Sequence, residues 1–198
     1  DAVGSAVTRW KVGDEVVQMG IAGGFCDTLV VNEMALLPKP ASLSMTEAAG
    51  IGITYFTSYY ALVQRANIQP GETLLVLGAA GGVGSTAVEL GKALGAKVIA
   101  AASSDEKLEL CKTLGADEVI NYSNEDLKTR VKELTEGRGV DVVYDPVGGD
   151  FSEAALRCMA WEGRFLVIGF ANGPIPSVPL NLTLLKGCQI VGVFWGRF

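Results

Sequence analysis

A doubly wound α/β fold, with helices covering both faces of a parallel sheet, is predicted by three observations in this chain of 198 residues. From Glu72 onward, apolar runs of strand length alternate with segments of helical character. The runs are almost unbroken in apolar residues, the signature of strands buried on both faces. Six of them follow one another, the number that a complete sheet of this kind carries.

Residues 1–40 read as strands and turns. Val12-Gly13-Asp14 is a turn signal, Val16 and Val17 open a strand, and the run 26–32 after Gly23 and Gly24 is a second. Pro38 and Pro40 bracket a loop. Ser44 with Glu47 makes a capping box that starts a helix of small residues, and a second helix is expected over 57–66 before the Pro70-Gly71 turn. The six strands are expected at 73–77, 97–102, 118–121, 140–144, 164–168 and 189–193. Helices belong between them, near 83–94, 105–114, 125–135, 150–160 and 181–186.

Composition narrows the function. Apolar residues make up 49% and charged residues 19%, enough to bury a large core. The net charge is -6 with no cluster of Lys and Arg, which argues against nucleic acid as a partner, since phosphate binding needs a concentrated basic face. No apolar run approaches the ~18 residues needed to cross a bilayer, so no membrane partner is expected. There is no histidine, and Cys26, Cys111, Cys158 and Cys188 lie far apart with no CxxC pair. A tetrahedral zinc site is poorly supplied, and no metal is expected. The cysteines read as reduced, mostly buried thiols of a cytoplasmic protein.

The first expected strand runs into Gly78-Ala79-Ala80-Gly81-Gly82-Val83-Gly84. A dinucleotide fingerprint needs a tight turn, a residue without a side chain where pyrophosphate approaches the backbone, and a small residue where helix and strand pack closely. Gly81 and Gly84 suit the second and third roles, with Ala79 in the place of the first glycine. The helix amides that follow would face the phosphates. A strand precedes, a helix follows, and the next strand arrives on schedule, so the motif marks a Rossmann-type domain. The second strand ends at Ala102, Ser103 and Ser104 with no acid to hold ribose hydroxyls, and Lys107 follows within a turn. Ser103, Ser104 and Lys107 suit the 2′-phosphate of NADP, so NADPH is expected over NADH. Asp105 is the residue that would instead favour NAD by turning toward the ribose.

Several segments carry a family resemblance. They are Lys-Val-Gly-Asp-Glu-Val-Val at 11–17, Gly78 to Gly84, Leu-Gly-Ala-Asp at 114–117 with Ile-Asn-Tyr at 120–122, and Gly-Val-Asp-Val-Val-Tyr-Asp-Pro-Val-Gly-Gly at 139–149. Gly163 to Gly169 and the run from Leu185 and Lys186 to Trp195 continue the series, and Met-Ala-Trp-Glu-Gly-Arg at 159–164 with Trp-Gly-Arg at 195–197 are the segments most like quinone oxidoreductases. In this order they resemble the medium-chain dehydrogenase/reductases, and within them the zinc-free, zeta-crystallin-like quinone oxidoreductases. The resemblance implies a GroES-like catalytic domain joined to a Rossmann domain. Residues 1–40 would be the C-terminal part of the first lobe of that catalytic domain, a β-rich remnant, and residues 41–198 the NAD(P)-binding domain. The rest of the lobe is expected before Asp1 and a closing segment after Phe198.

The resemblance also implies roles. Ala80, Gly81, Gly82 and Val83 would contact pyrophosphate, while Ser103, Lys107 and Tyr122 would surround the adenosine ribose and its phosphate. Val147, Ile168, Gly169, Phe170 and Ala171 would line the nicotinamide ribose. Val193, Phe194 and Trp195 would approach the nicotinamide ring, with Thr57 nearby. Plainer roles are a strand cap for Tyr122, core packing for Val147 and Phe170, a solvated Lys107, and helix caps for Ser103 and Ser104. Tyr55 stands where the family has glycine, and Cys26 where alanine is common, read as a small buried filler, with a reactive thiol near the cleft as the alternative.

The implied reaction is hydride transfer from NADPH to a quinone or another electron-poor carbonyl. No catalytic acid is assigned, because a quinone needs none and any donor is expected outside this chain. The chain alone is expected to bind cofactor with little or no turnover. Alternatives are a 2-enoyl thioester reductase, a zinc-free alcohol dehydrogenase, or a non-catalytic NADPH-binding module. A homodimer through the 189–195 edge strand is expected, since an exposed apolar edge invites pairing with its twin.

Overall fold

The computed structural model describes every residue except Ile21 and Phe198. It divides into two compact units, Asp1–Ile53 and Thr54–Phe198.

In the smaller unit, strand β1 (Val16–Gln18) pairs antiparallel with β2 (Leu36–Pro38), Val17 opposite Leu37. The partner of β1 is therefore the proline-bearing segment expected as loop. Pro38 lies at the end of this short ribbon, where its missing N–H is tolerated. The run 26–32, expected as a strand, is irregular, and Val30 is 96% exposed. No strand among the described residues lies beside it, so its backbone has no ladder to join. Cys26, expected as a buried filler, is exposed, and its thiol donates to the Gly23 carbonyl at 2.8 Å.

The capping box forms as expected: Ser44 N donates to Glu47 Oε2 at 2.8 Å and Glu47 N donates to Ser44 Oγ at 3.2 Å. The Ser44 amide is the main cause holding the Glu47 carboxyl below its ordinary range. Helix α1 (Met45–Tyr59) then runs unbroken and passes directly into a π-helix, Tyr60–Arg65. The two expected helices are thus one continuous element. Gly50 and Gly52 do not break it, because an interior glycine costs only about 1 kcal/mol relative to alanine.

The larger unit holds a six-stranded parallel sheet. Its strands are β3 (Thr73–Leu77), β4 (Lys97–Ala102), β5 (Glu118–Asn121), β6 (Val140–Asp145), β7 (Met159–Val167) and β8 (Gln189–Gly192). Their order across the sheet is β5-β4-β3-β6-β7-β8. The chain therefore starts in the middle, winds outward one way, returns and winds outward the other. This is the doubly wound order, with its switch point between β3 and β6.

Helices α2 (Gly82–Ala93), α3 (Asp105–Thr113), α4 (Leu127–Leu134), α5 (Asp150–Arg157) and α6 (Asn181–Lys186) connect the strands. Side chains alternate between two cores. Leu74, Val76, Val98, Ala100, Val142 and Tyr144 face one, with Ala87 and Val88 of α2 and Cys111 of α3. Leu75, Leu77, Ile99, Ala101 and Val143 face the other, with Val131 of α4 and Leu156 of α5. Burial on both faces is why these strands read as continuous apolar runs. The exception is β7, which begins five residues before the expected start and carries an irregularity opposite Val140 and Val142. Glu162 adopts a positive φ of 59° there, so a polar, glycine-bearing stretch stays within the strand as a bulge. Among the described residues no helix is long and apolar enough to cross a membrane.

Candidate functional site

The glycine turn closes the C-terminal end of β3. Gly78 takes a positive φ of 56°, and Gly81 N donates back to Gly78 O at 2.9 Å. The tight-turn role therefore belongs to Gly78, one residue before its expected place. Ala79 is fully buried, and its amide donates to Ala101 O on β4 at 3.0 Å. A Cβ on Gly84 would lie 2.2 Å from Gly78 O, so α2 packs onto the turn only because that position has none. A Cβ on Gly81 would meet only Gly78 O, at 3.2 Å, and otherwise stand free. Gly81 caps α2 without a side-chain bond, leaving the first-turn amides open to an anion.

Around this turn lies a cleft of about 400 Å³. It brings together Ala80, Gly81, Gly82, Val83, Lys107, Tyr122, Val147 and Ala171 of the expected set. Gly78, Gly84, Ala102, Pro146 and Asn172 also line it and were not anticipated as ligand contacts. Their shared signal is position, since Gly78, Ala102, Pro146 and Asn172 sit at the C-terminal end of a strand or in the loop after it, and Gly84 in the first turn of the helix that follows β3, where open α/β sheets bind ligands. Thr57, Ser103, Ser104, Ile168, Gly169, Phe170, Val193, Phe194 and Trp195 do not line this cleft.

At the end of the cleft nearest β4, Lys107 Nζ donates to Ser103 Oγ at 3.0 Å. Burial raises the Tyr122 phenol, and a hydrogen bond with Ser103 partly offsets that. Tyr122 also stacks at a tilt on Phe151, 4.5 Å between ring centroids. Ser104 acts as the cap of α3, its Oγ accepting from Lys107 N at 3.4 Å. Asp105 is engaged elsewhere: Asn121 Nδ2 donates to its Oδ1 at 2.6 Å.

At the opposite end, Asp145 organises the loop after β6. Its buried Oδ1 accepts from Val147 N at 2.9 Å and Gly148 N at 2.8 Å, and Ser152 Oγ donates to Oδ2 at 2.7 Å. The backbone joins this loop to the one after β7. Ile168 N donates to Asp145 O, Ala171 N to Pro146 O and Asn172 N to Val147 O, at 3.0, 3.0 and 2.9 Å. Gly148 and Gly149 take positive φ angles of 71° and 61°, and atoms of Phe170 and Asn172 stand 2.9 and 2.6 Å from where a Cβ would be. Phe170 is therefore a partly exposed lid on Gly148 rather than core. Gly169 N donates to Asp145 O at 3.3 Å.

The remaining expected residues occupy the end of the sheet near β8. Val193 N donates to Val167 O at 3.1 Å, Phe194 is 75% exposed, and Trp195 meets Phe56 edge-on, 6.3 Å between centroids. Arg65 Nε donates to Gly192 O at 3.1 Å. Thr57 is buried on α1 beside Ser58, whose hydroxyl meets Thr86 and Tyr144. Tyr55, the departure from the family's glycine, donates its hydroxyl to Glu89 and so ties α1 to α2. That hydrogen bond, with burial, pushes the Tyr55 phenol up to about 12.

The donor set does not fit a metal. The chain has no histidine, and among the described residues no group of three or more His, Cys, Asp or Glu could hold an ion. Burial raises the Cys111, Cys158 and Cys188 thiols, Cys158 to about 11, so these sulfurs stay protonated.

The zinc-binding dehydrogenase family matches residues 82–198. Quinone oxidoreductase-like protein 2 homolog of Nematostella vectensis is 45% identical over 196 residues, covering 98% of this chain and 53% of that protein. The chain thus spans about half the length of this relative. The structure of a Pseudomonas syringae pv. Tomato DC3000 quinone oxidoreductase superimposes with a TM-score of 0.90 at 40% identity, covering 100% of this chain and 61% of that one. Escherichia coli quinone oxidoreductase complexed with NADPH superimposes with a TM-score of 0.89 at 35% identity, covering 99% of this chain and 61% of that one. With the family match extending over more than half of its residues, and quinone oxidoreductases as its relatives, this chain belongs to the zinc-binding dehydrogenase family of the medium-chain dehydrogenase/reductases.

Proposed function

We propose that this chain is the NADPH-binding part of an oxidoreductase that passes hydride to a quinone or another electron-poor carbonyl. The observation that carries the reading is Lys107 and Tyr122 at one end of the cleft, with Ser103 bonded to both, while Asp105, the acid that would favour NAD, is held by Asn121. A cation and two hydroxyls without a facing carboxylate suit a 2′-phosphate and give NADH nothing comparable. The open amides after Gly81 would take the pyrophosphate, with Ala80, Gly82 and Val83 beside it. Val147 and Ala171 would meet the nicotinamide ribose on the joined loops, with Ile168, Gly169 and Phe170 behind them. Thr57, Val193, Phe194 and Trp195 would flank the ring.

The cofactor, when bound, supplies the hydride, and this chain's own residues hold it in place and exclude water from one side. The family's description names zinc, but the donors of this chain do not fit it, and hydride transfer to a quinone needs none. Residues 1–40 fit the proposal as part of a GroES-like lobe, and residues 41–198 as the cofactor domain. Free thiols, three of them buried, suit a cytoplasmic setting.

The proposal includes a homodimer through β8. The two sheet edges differ. On β5 the Asn121 amide is taken by Glu125 Oε1 at 2.8 Å, which blunts that edge. On β8 the exposed Ile190 lies in the edge strand, and Trp161, Leu184, Leu185 and Phe194 nearby in sequence or sheet are exposed too. On β8 the Gly192 carbonyl is likewise engaged, by Arg65 Nε at 3.1 Å, so what favours that edge for a twin strand is its exposed apolar side chains.

Calorimetry of this chain with NADPH and NADH tests the cofactor. Tighter binding of NADPH is expected, and equal affinities would refute the phosphate assignment. A panel of quinones and enoyl thioesters with the whole protein tests the acceptor; turnover of enoyl thioesters alone would replace the quinone reading.

A further inference from the structure

Three hydroxyls lie in the apolar core behind the glycine turn. Ser58 on α1 and Tyr144 on β6 are fully buried, and Thr86 on α2 nearly so. Ser58 Oγ stands 2.8 Å from Tyr144 OH, 2.8 Å from Thr86 Oγ1 and 3.0 Å from the carbonyl oxygen of Val83. Thr86 Oγ1 also donates toward Val83 O at 3.0 Å and Thr54 O at 3.2 Å.

The protons can be ordered, because carbonyls only accept. Among the described residues Ser58 is the hydrogen-bond partner of the Tyr144 hydroxyl, so the phenol proton goes to Ser58 Oγ. Ser58 then passes its own proton to Val83 O or Thr86 Oγ1, and Thr86 gives its proton to one of the two carbonyls. Burial pushes the Tyr144 phenol up to about 12, which keeps it a donor at any working pH. Every buried side-chain polar atom among the described residues is satisfied. Phenylalanine and alanine would fill the Tyr144 and Ser58 positions without desolvating hydroxyls, so stability alone gives the trio little reason to exist. Its target does. Val83 sits in the first turn of α2, beside the amides that the cleft exposes, and Ser58 adjoins Thr57 on α1.

We infer that Tyr144 and Ser58 are positioning residues for the cofactor cleft: through Ser58 Oγ they hold the first turn of α2, and with it the amides that meet the pyrophosphate. Neither side chain touches the ligand. The inference rests on the NADPH reading above.

The test uses Tyr144→Phe, Ser58→Ala and the double variant, with melting, NADPH calorimetry and calorimetry with adenosine 2′-monophosphate. The last probe engages only the Lys107 end of the cleft. Ser58→Ala strands the Tyr144 proton in the core and lowers Tm, whereas the double variant removes both partners and recovers most of that loss. NADPH affinity is expected to fall about three- to tenfold in Ser58→Ala and in the double variant, the fold-change that one neutral hydrogen bond commands. Tyr144→Phe is expected to weaken NADPH in the same direction with little change in Tm. Binding of adenosine 2′-monophosphate should stay within about twofold of the parent throughout. Recovery of NADPH affinity together with Tm in the double variant would show that the trio acts through stability alone and overturn the inference. So would unchanged NADPH affinity in all three variants, or a parallel loss of the monophosphate. A parent chain that binds the monophosphate but not NADPH overturns the inference, and one that binds neither overturns the NADPH reading itself. If Ser58→Ala fails to fold, Tyr144→Phe and the double variant decide the question.

Discussion

Two glycines in one turn should fail in opposite ways when given a side chain. At Gly84 a Cβ would stand 2.2 Å from Gly78 O, 2.8 Å from Ala79 Cα and 2.9 Å from Gly78 C. All three are backbone atoms, so no rotamer relieves the clash. To restore ordinary contact α2 must retreat by roughly 1.3 Å or more, given that carbon contacts settle near 3.5–4.0 Å. Overpacking of this kind costs about 3 kcal/mol, the upper end for one added carbon in a tight site. For a chain of this size that is a fall in Tm of roughly 6–12 °C. At Gly81 the backbone is extended, φ -81° and ψ 171°, which any residue adopts, and the added Cβ meets one atom at 3.2 Å. Gly81→Val should melt within about 4 °C of the parent, since its overpacking stays near 1 kcal/mol. Its branched side chain would stand in the cleft where the pyrophosphate must approach, and NADPH affinity should fall at least about hundredfold. Scanning fluorimetry and calorimetry on both variants separate the two effects. A folded Gly81→Val protein that keeps parental NADPH affinity would put the phosphates elsewhere, and a Gly84→Ala protein of parental Tm would refute the packing argument.

Other perturbations reach different parts of the molecule. Lys107→Ala should weaken NADPH about tenfold or more and leave NADH unchanged, because a charge-assisted contact contributes about 1.5–3 kcal/mol, toward the low end at an exposed lysine; equal losses for both cofactors in calorimetry would count against a 2′-phosphate site. Gly192→Lys should turn a dimer into a monomer in light scattering with little change in Tm, since a Cβ there meets nothing within 4 Å while the charge lies on the pairing edge; a dimer that survives it pairs through another surface. Elemental analysis of the purified chain should find no stoichiometric zinc, and one ion per chain lost on Cys→Ser substitution would contradict the donor inventory. Burial alone would raise the Asp117 and Asp141 carboxyls, but Lys92 with the Val98 amide, and Arg138 with the Thr73 amide, hold them below the ordinary value. Their folded pKa values are depressed, so the stability they contribute is present above about pH 4 and lost as pH falls through the folded values. Melting curves should be level from pH 7 to pH 5 on their account and fall below about pH 4, with a shallower fall in Asp117→Asn and Asp141→Asn.

The sheet was legible because its strands are buried on both sides and its helices are amphipathic, both local properties. Leu74 and Leu75 point to different cores, yet both must be apolar, and a run of such residues needs no partner to be recognised. Pairing is different. Val30 and its neighbours have strand composition but no adjacent strand, while Leu36 and Leu37 pair despite Pro38. Nothing in a short run tells which distant segment will lie beside it. The glycine fingerprint was readable to within one residue, the shift from Ala79 to Gly78 depending on a φ angle that composition does not reveal. Asp145, Ser58 and Tyr144 were passed over for a related reason. A buried polar side chain takes its meaning from what it faces, and those partners are as much as 86 residues away. Gly148 and Gly149 look like an ordinary turn until Phe170 and Asn172 are seen resting on them.

The joined loops after β6 and β7 also bear on how this domain could be rebuilt. From Asp145 to Val147 on one side and Ile168 to Asn172 on the other, the two segments share a row of backbone hydrogen bonds and behave as one ledge. The row stops at Asn172, and at Gly173 an added Cβ would meet nothing within 4 Å. A designer seeking new acceptor preferences has a natural cut point there. An insertion at Gly173 would leave that row intact, whereas a single insertion before it would slide one loop against the other and misplace both walls of the cleft at once.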